Sequence, residues 1–91
     1  MKYQKKPVVI DAQRWDGNPD TVFALTDSGE PWPEEVVFHP NTGELEIGTL
    51  EGSMICNVGD WLIRGVKREF YPIKDEIFQA SYEVAEECLP Q

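Results

Sequence analysis

Turn-forming residues cut the second half of this sequence into pieces too short for a stable helix. Pro40-Asn41-Thr42-Gly43, Glu51-Gly52, Gly59-Asp60 and Gly65-Val66 recur roughly every six to ten residues, the spacing of strands in an antiparallel meander. The intervening segments, 36–39, 44–50, 53–57, 61–64 and 67–71, are rich in Val, Ile, Leu, Phe and Tyr and read as strands. Asn41 and Gly43 supply the residues that tolerate positive φ in the first hairpin, and Gly59 and Gly65 do so in later turns. Asp60 is placed to bond its own turn backbone.

Upstream, residues 7–15 alternate with period two, with Val8, Ile10 and Ala12 on one face, and Pro7 marks the start of an edge strand. Asn18-Pro19-Asp20 is helix-start chemistry: an Asn cap, Pro at the first helical position and an acid at the positive end of the dipole. Val22, Phe23 and Leu25 then form the packed face of a short helix ending near Gly29. Glu30-Pro31-Trp32-Pro33-Glu34 is a loop, because its prolines remove backbone donors and disfavour helix before them. Residues 75–79 read as a helical turn, and 80–84 as a strand returning beside 8–13.

These elements predict a small α+β domain over residues 1–85, with 86–91 a frayed tail. Its framework is an antiparallel, strongly curved sheet or partial barrel, with one short helix and a short C-terminal helical turn. The expected core is Val8, Ile10, Ala12, Phe23, Leu25, Val37, Leu45, Ile47, Ile55, Leu62, Phe70, Ile77 and Phe78. A chain of 91 residues forms a single small core, and 41% hydrophobic with 27% charged residues is ordinary for a globular domain.

Two regions of the sequence carry a resemblance. Residues 5–17, KKPVVIDAQRWDG, and residues 58–83, with Gly59-Asp60, Gly65, Glu69-Phe70-Tyr71-Pro72, Ile77-Phe78 and Tyr82-Glu83, resemble a family of small proteins of tailed bacteriophages and prophages. The likeness spans residues 1–17 and about 50–83. It departs from the family pattern at Val58, where the family has Pro, at Arg68, where it has Gly, and at Ile73-Lys74-Asp75, where it has Cys-Lys-Pro. The resemblance implies a phage or prophage origin and brings no reaction with it; no role of the family's Cys is carried over.

Catalytic chemistry has few footholds. His39 is the sole histidine and reads as a surface histidine at a strand end, with no Ser or Cys nearby in sequence to act as its nucleophile. Glu44 and Glu46 share one face of their strand, a spacing that suits a hard cation or acid/base work but also an ordinary solvated face. Cys56 and Cys88 belong to no metal-ligand motif and read as reduced, the first buried and the second in the tail. No phosphate cradle is present, so the expectation is a non-enzymatic protein without cofactor or metal.

Charge gives the clearest expectation about partners. The formal net charge is −9, and between Trp15 and Ile63 there is no Lys or Arg. All eight basic residues lie within 2–14 or 64–74, so side-by-side basic segments would give the domain a basic and an acidic side. Glu34, Glu35, Glu44, Glu46 and Glu51 form the candidate acidic surface for a host or phage protein, acting by modulating a host or defence factor, without direct DNA binding. The alternative is a nucleotide or anion site at the basic hairpin, from Trp61, Arg64, Lys67, Arg68, Tyr71 and Lys74, by charge-assisted hydrogen bonds and stacking. A virion decoration role is a third reading. With no bilayer-length apolar run and no signal-peptide pattern, the expected location is the cytoplasm of the bacterial host.

Overall fold

Among the described residues six strands divide between two three-stranded antiparallel sheets that pack on one another without closing into a barrel. The structure, a computed structural model, describes residues 9–82. In chain order the elements are β1 (Asp11–Arg14), α1 (Asp20–Phe23), β2 (Val36–His39), β3 (Glu44–Thr49), β4 (Gly52–Cys56), β5 (Trp61–Arg64), β6 (Phe70–Ile73) and α2 (Asp75–Ser81). One sheet runs β1-β5-β6 and the other β2-β3-β4, so the α+β antiparallel architecture expected from the turn spacing is present.

The partner of β1 differs from expectation. β1 pairs with β5, Asp11 opposite Arg64 and Arg14 opposite Trp61. The segment expected to return beside it is helical through Ser81, and residues 83–84 lie outside the described residues, as do Val8, Cys88 and the expected tail. The strand itself is shorter than 7–15. Beyond Arg14 the backbone of Trp15 is bonded to the β4–β5 turn, its N–H donating to Asp60 O at 2.8 Å and its carbonyl accepting from Gly59 N at 2.8 Å. Gly59 takes φ +101 to make that approach, while the Asp60 carboxylate accepts from Asn57 N at 3.0 Å, as its turn chemistry predicts.

Between the sheets lie Val36, Leu45, Ile47 and Cys56 from one side and Leu62 and Phe70 from the other. Trp15, Val22 and Leu25 complete the cluster, with Trp32 and Phe38 packed against it. Trp15 is fully buried and joins both sheets: it follows β1, donates its indole N–H to Gly43 O at 2.7 Å, and meets Phe38 edge-on at 5.9 Å.

Five expected core residues hold their place: Leu25, Leu45, Ile47, Leu62 and Phe70. Four do not. Phe23, Val37, Ile55 and Ile77 are exposed, and in the first three cases an immediate neighbour, Val22, Val36 or Cys56, is buried instead. A strand's phase is set by its partner: Val36 stands opposite Ile47 and Cys56 opposite Leu45, which sends Val37 and Ile55 to the other face. Ala12, opposite Ile63, lies on the outer face of its sheet, and Phe78 stacks on Trp61 there rather than joining the core.

Helix α1 is a single turn instead of reaching Gly29. Pro19 is already helical in φ and ψ, and Asn18 Oδ1 accepts from Asp20 N at 3.0 Å, so the start signals act as read. The chain then leaves the helix through turn bonds from Leu25 N to Val22 O and Thr26 N to Phe23 O. That departure presents Leu25 O and the Glu30 carboxylate to Arg64, a partner 34 residues from Glu30 and invisible to local sequence patterns.

Candidate functional site

The basic aromatic hairpin is largely committed to holding the fold. Arg64 is buried on the inner face of its sheet. Its guanidinium grips Glu30 through two 2.8 Å hydrogen bonds and donates to Leu25 O and Arg68 O, each at 3.0 Å; it also lies 4.5 Å over the Phe70 ring. These bonds from Arg64, with the Asp27 backbone N–H, hold the Glu30 carboxyl down to about 2. Arg64, a candidate of the nucleotide or anion site, is thus a buried residue whose donors are taken up within the fold.

Arg68 pairs with Asp27 at 2.8 Å and Asp11 at 3.3 Å, and Lys74 lies 3.7 Å from Asp60. Trp61 stacks on Phe78 at 4.0 Å and donates its indole N–H to Asp75 at 2.8 Å, which lowers the Asp75 pKa. Tyr71 is half-buried, and burial first, then the neighbouring Tyr82, pushes its phenol up to about 12. Of the six hairpin candidates only Lys67 is exposed without an ion pair among the described residues.

The hairpin's loop holds one residue in the left-handed region. Gly65 N donates to Glu69 O and Arg68 N to Gly65 O, a three-residue connection whose last residue needs a left-handed backbone. That residue is Arg68, at φ 65. Gly65 itself does not have positive φ, contrary to expectation, and a Cβ there would meet only the movable carboxylate end of the exposed Glu69 side chain.

The acidic residues assemble differently. On the outer face of β2-β3-β4 the register sets His39 opposite Glu44, Val37 opposite Glu46, and Glu46 opposite Ile55. Alternation from Val37 puts Glu35 on the same face, its carbonyl accepting from Gly48 N at 2.8 Å. Glu35, Glu44 and Glu46 thus share a face with the half-exposed Val37 and Ile55. Glu34 lies in the loop before β2 and Glu51 in the β3–β4 turn, outside that array.

His39 Nε2 is 3.0 Å from Glu46 Oε1, a partner that sequence proximity to Ser or Cys did not suggest. The signal was present in the hairpin register, which puts His39, Glu44 and Glu46 on one face once the 40–43 turn is assigned. Beside the pair is an open depression of about 310 Å³, lined by His39, Pro40, Asn41, Thr42, Glu44, Glu46 and Ile55. Cys56 is on the opposite, buried face of β4, and burial pushes its thiol up to about 12, so it offers no thiolate to this pair. Among the described residues no group of three His, Cys, Asp or Glu side chains is set to hold a metal ion, and no helix is long and apolar enough to cross a membrane.

Among the described residues the ion pairs of Arg and Lys are all on or beside one sheet, though Glu69 and Glu76 there have none. Arg14, Arg64, Arg68 and Lys74 each meet a carboxylate, Asp11, Asp27, Glu30, Asp60 or Asp75, on or beside β1-β5-β6. Among the described residues Glu34, Glu35, Glu44 and Glu51 have no cationic partner, and Glu46 has only His39. Comparison with protein-family models, curated proteins and solved structures finds no match.

Proposed function

We propose that this is a non-enzymatic binding protein of phage or prophage origin that docks a basic host or phage protein on the outer face of β2-β3-β4. The observation that carries this reading is the segregation of ion pairs: among the described residues every carboxylate that meets Arg or Lys, namely Asp11, Asp27, Glu30, Asp60 and Asp75, lies on or beside β1-β5-β6, whereas Glu35, Glu44 and Glu46 stand beside exposed Val37 and Ile55 with no Lys or Arg at ion-pair distance. Such a face attracts a basic partner at long range and offers apolar contact at short range. The basic hairpin supports a nucleotide or anion site less well, because Arg64, Arg68 and Lys74 already have carboxylate partners. The phage origin rests on the sequence resemblance alone.

Capture from bacterial lysate, with the wild-type chain and a Glu34, Glu35, Glu44, Glu46→Lys variant side by side, tests the reading. Partners should be held at low salt, released between roughly 50 and 200 mM as screening sets in, and absent from the variant, whose circular dichroism stays native. Partners that survive the reversal would place the contact elsewhere.

A further inference from the structure

Strand β4 is an edge of its sheet: it pairs with β3, and no described strand pairs with its other side. Gly48 N donates to Glu35 O, so the Gly48 backbone groups point towards β2. In an antiparallel ladder N–H and C=O of one residue point the same way and alternate along the strand. Ser53, opposite Gly48, therefore turns its N–H and C=O away from β3, as does Ile55 two residues on, while Met54 bonds towards β3.

Natural edges are usually blunted by Lys, Pro or a bulge. β4, Gly-Ser-Met-Ile-Cys, has no charge and no proline, and Ser53, Met54 and Ile55 are all exposed.

We infer that β4 receives an added antiparallel strand from the basic partner, an extended segment with Lys or Arg at alternate positions and apolar residues between them. The inference rests on the acidic-face reading above. Side chains of an added strand alternate between the two faces of the sheet. On the outer face they fall beside Ile55, where a Lys or Arg stem covers the Ile55 side chain and its head reaches towards Glu46. On the inner face they fall beside Met54, half-exposed and apolar, which an apolar side chain covers. A second copy of this chain fits the edge poorly, because self-pairing would set two acidic sheets side by side on chains of net charge −9.

The test uses the full chain and two synthetic peptides, Lys-Val-Lys-Val-Lys-Val-Lys amide and the same sequence N-methylated at every interior amide. Charge is identical, but only the first can pair along a strand edge. The unmodified peptide should bind and slow amide exchange at Ser53 and Ile55 by at least about tenfold, with Met54 already protected before it is added. The N-methylated peptide should bind at least about tenfold more weakly. Ile55→Pro, which removes an N–H not used by β3, should lose the peptide while keeping a native amide spectrum. Equal binding of both peptides, without new protection at Ser53 and Ile55, overturns edge pairing but leaves docking on the acidic face. No binding of either peptide at low salt overturns both. A free protein that is dimeric, and becomes monomeric with Ile55→Pro, would overturn the occupant in favour of a second copy.

Discussion

Arg64 shows how completely a residue's role depends on what folding brings to it. In the sequence it is one of several cations beside aromatics; in the fold it holds Glu30, Leu25 O and Arg68 O together under Phe70. Arg64→Ala leaves the Glu30 carboxylate without its guanidinium and should cost about 3 kcal/mol in urea unfolding, whereas Lys67→Ala should stay within about 0.5 kcal/mol. The same pair sets a pH dependence. Glu30 is lowered from 4.5 to about 2 in the folded protein, so its contribution is complete above about 4.5 and is lost as pH falls towards 2. Wild type should therefore lose stability more steeply than Glu30→Gln across that acid window, and matching slopes would refute the assignment. Arg68 has a second cost, its left-handed backbone. Arg68→Gly should remain within about 0.5 kcal/mol of wild type despite losing two exposed ion pairs, while Arg68→Val, β-branched at φ 65, should lose about 1–2 kcal/mol.

Strands β2 and β4 display the limit of reading periodicity in short apolar runs. Val36-Val37-Phe38 offers no polar residue to mark a face, and either valine fits an inward phase. β3 resolves the ambiguity because Glu44-Leu45-Glu46-Ile47 alternates cleanly, and pairing with it aligns Val36 and Cys56 inward. The expected consequence is asymmetric: Val36→Ala should cost about 2 kcal/mol and Val37→Ala less than about 0.5, measured by chemical denaturation. Equal losses would mean the strand sits in the other phase. In α1 the same contrast holds between Val22, buried, and Phe23, which meets the Trp32 ring edge-on at 5.3 Å near the surface.

Both sheets contribute to one hydrophobic cluster, and Trp15 spans them, so the whole molecule should unfold as a unit. Trp15→Phe keeps most of the ring packing but leaves Gly43 O without its indole donor, and should destabilise the protein by about 1–2 kcal/mol. Fluorescence of Trp32, beside β2, and of Trp61, in β5, should report the same midpoint as far-ultraviolet circular dichroism; separated transitions would mean two independent sheets. Turn chemistry written in consecutive residues, at Asn18-Pro19, Asn57–Asp60 and the 40–43 hairpin, where Gly43 but not Asn41 takes the expected positive φ, acts locally and is legible in the amino-acid order alone, as are the antiparallel α+β class and the alternating face of β3. The acidic character of residues 16–60 is equally plain, because a run without Lys or Arg is a property of the chain itself. The pairing of β1 with β5, the inward phase of β2 and β4 and the capture of Arg64 by Glu30 depend on contacts between separate segments. No local pattern encodes them, since each is set by which surfaces can be buried together and which charges are then left without water.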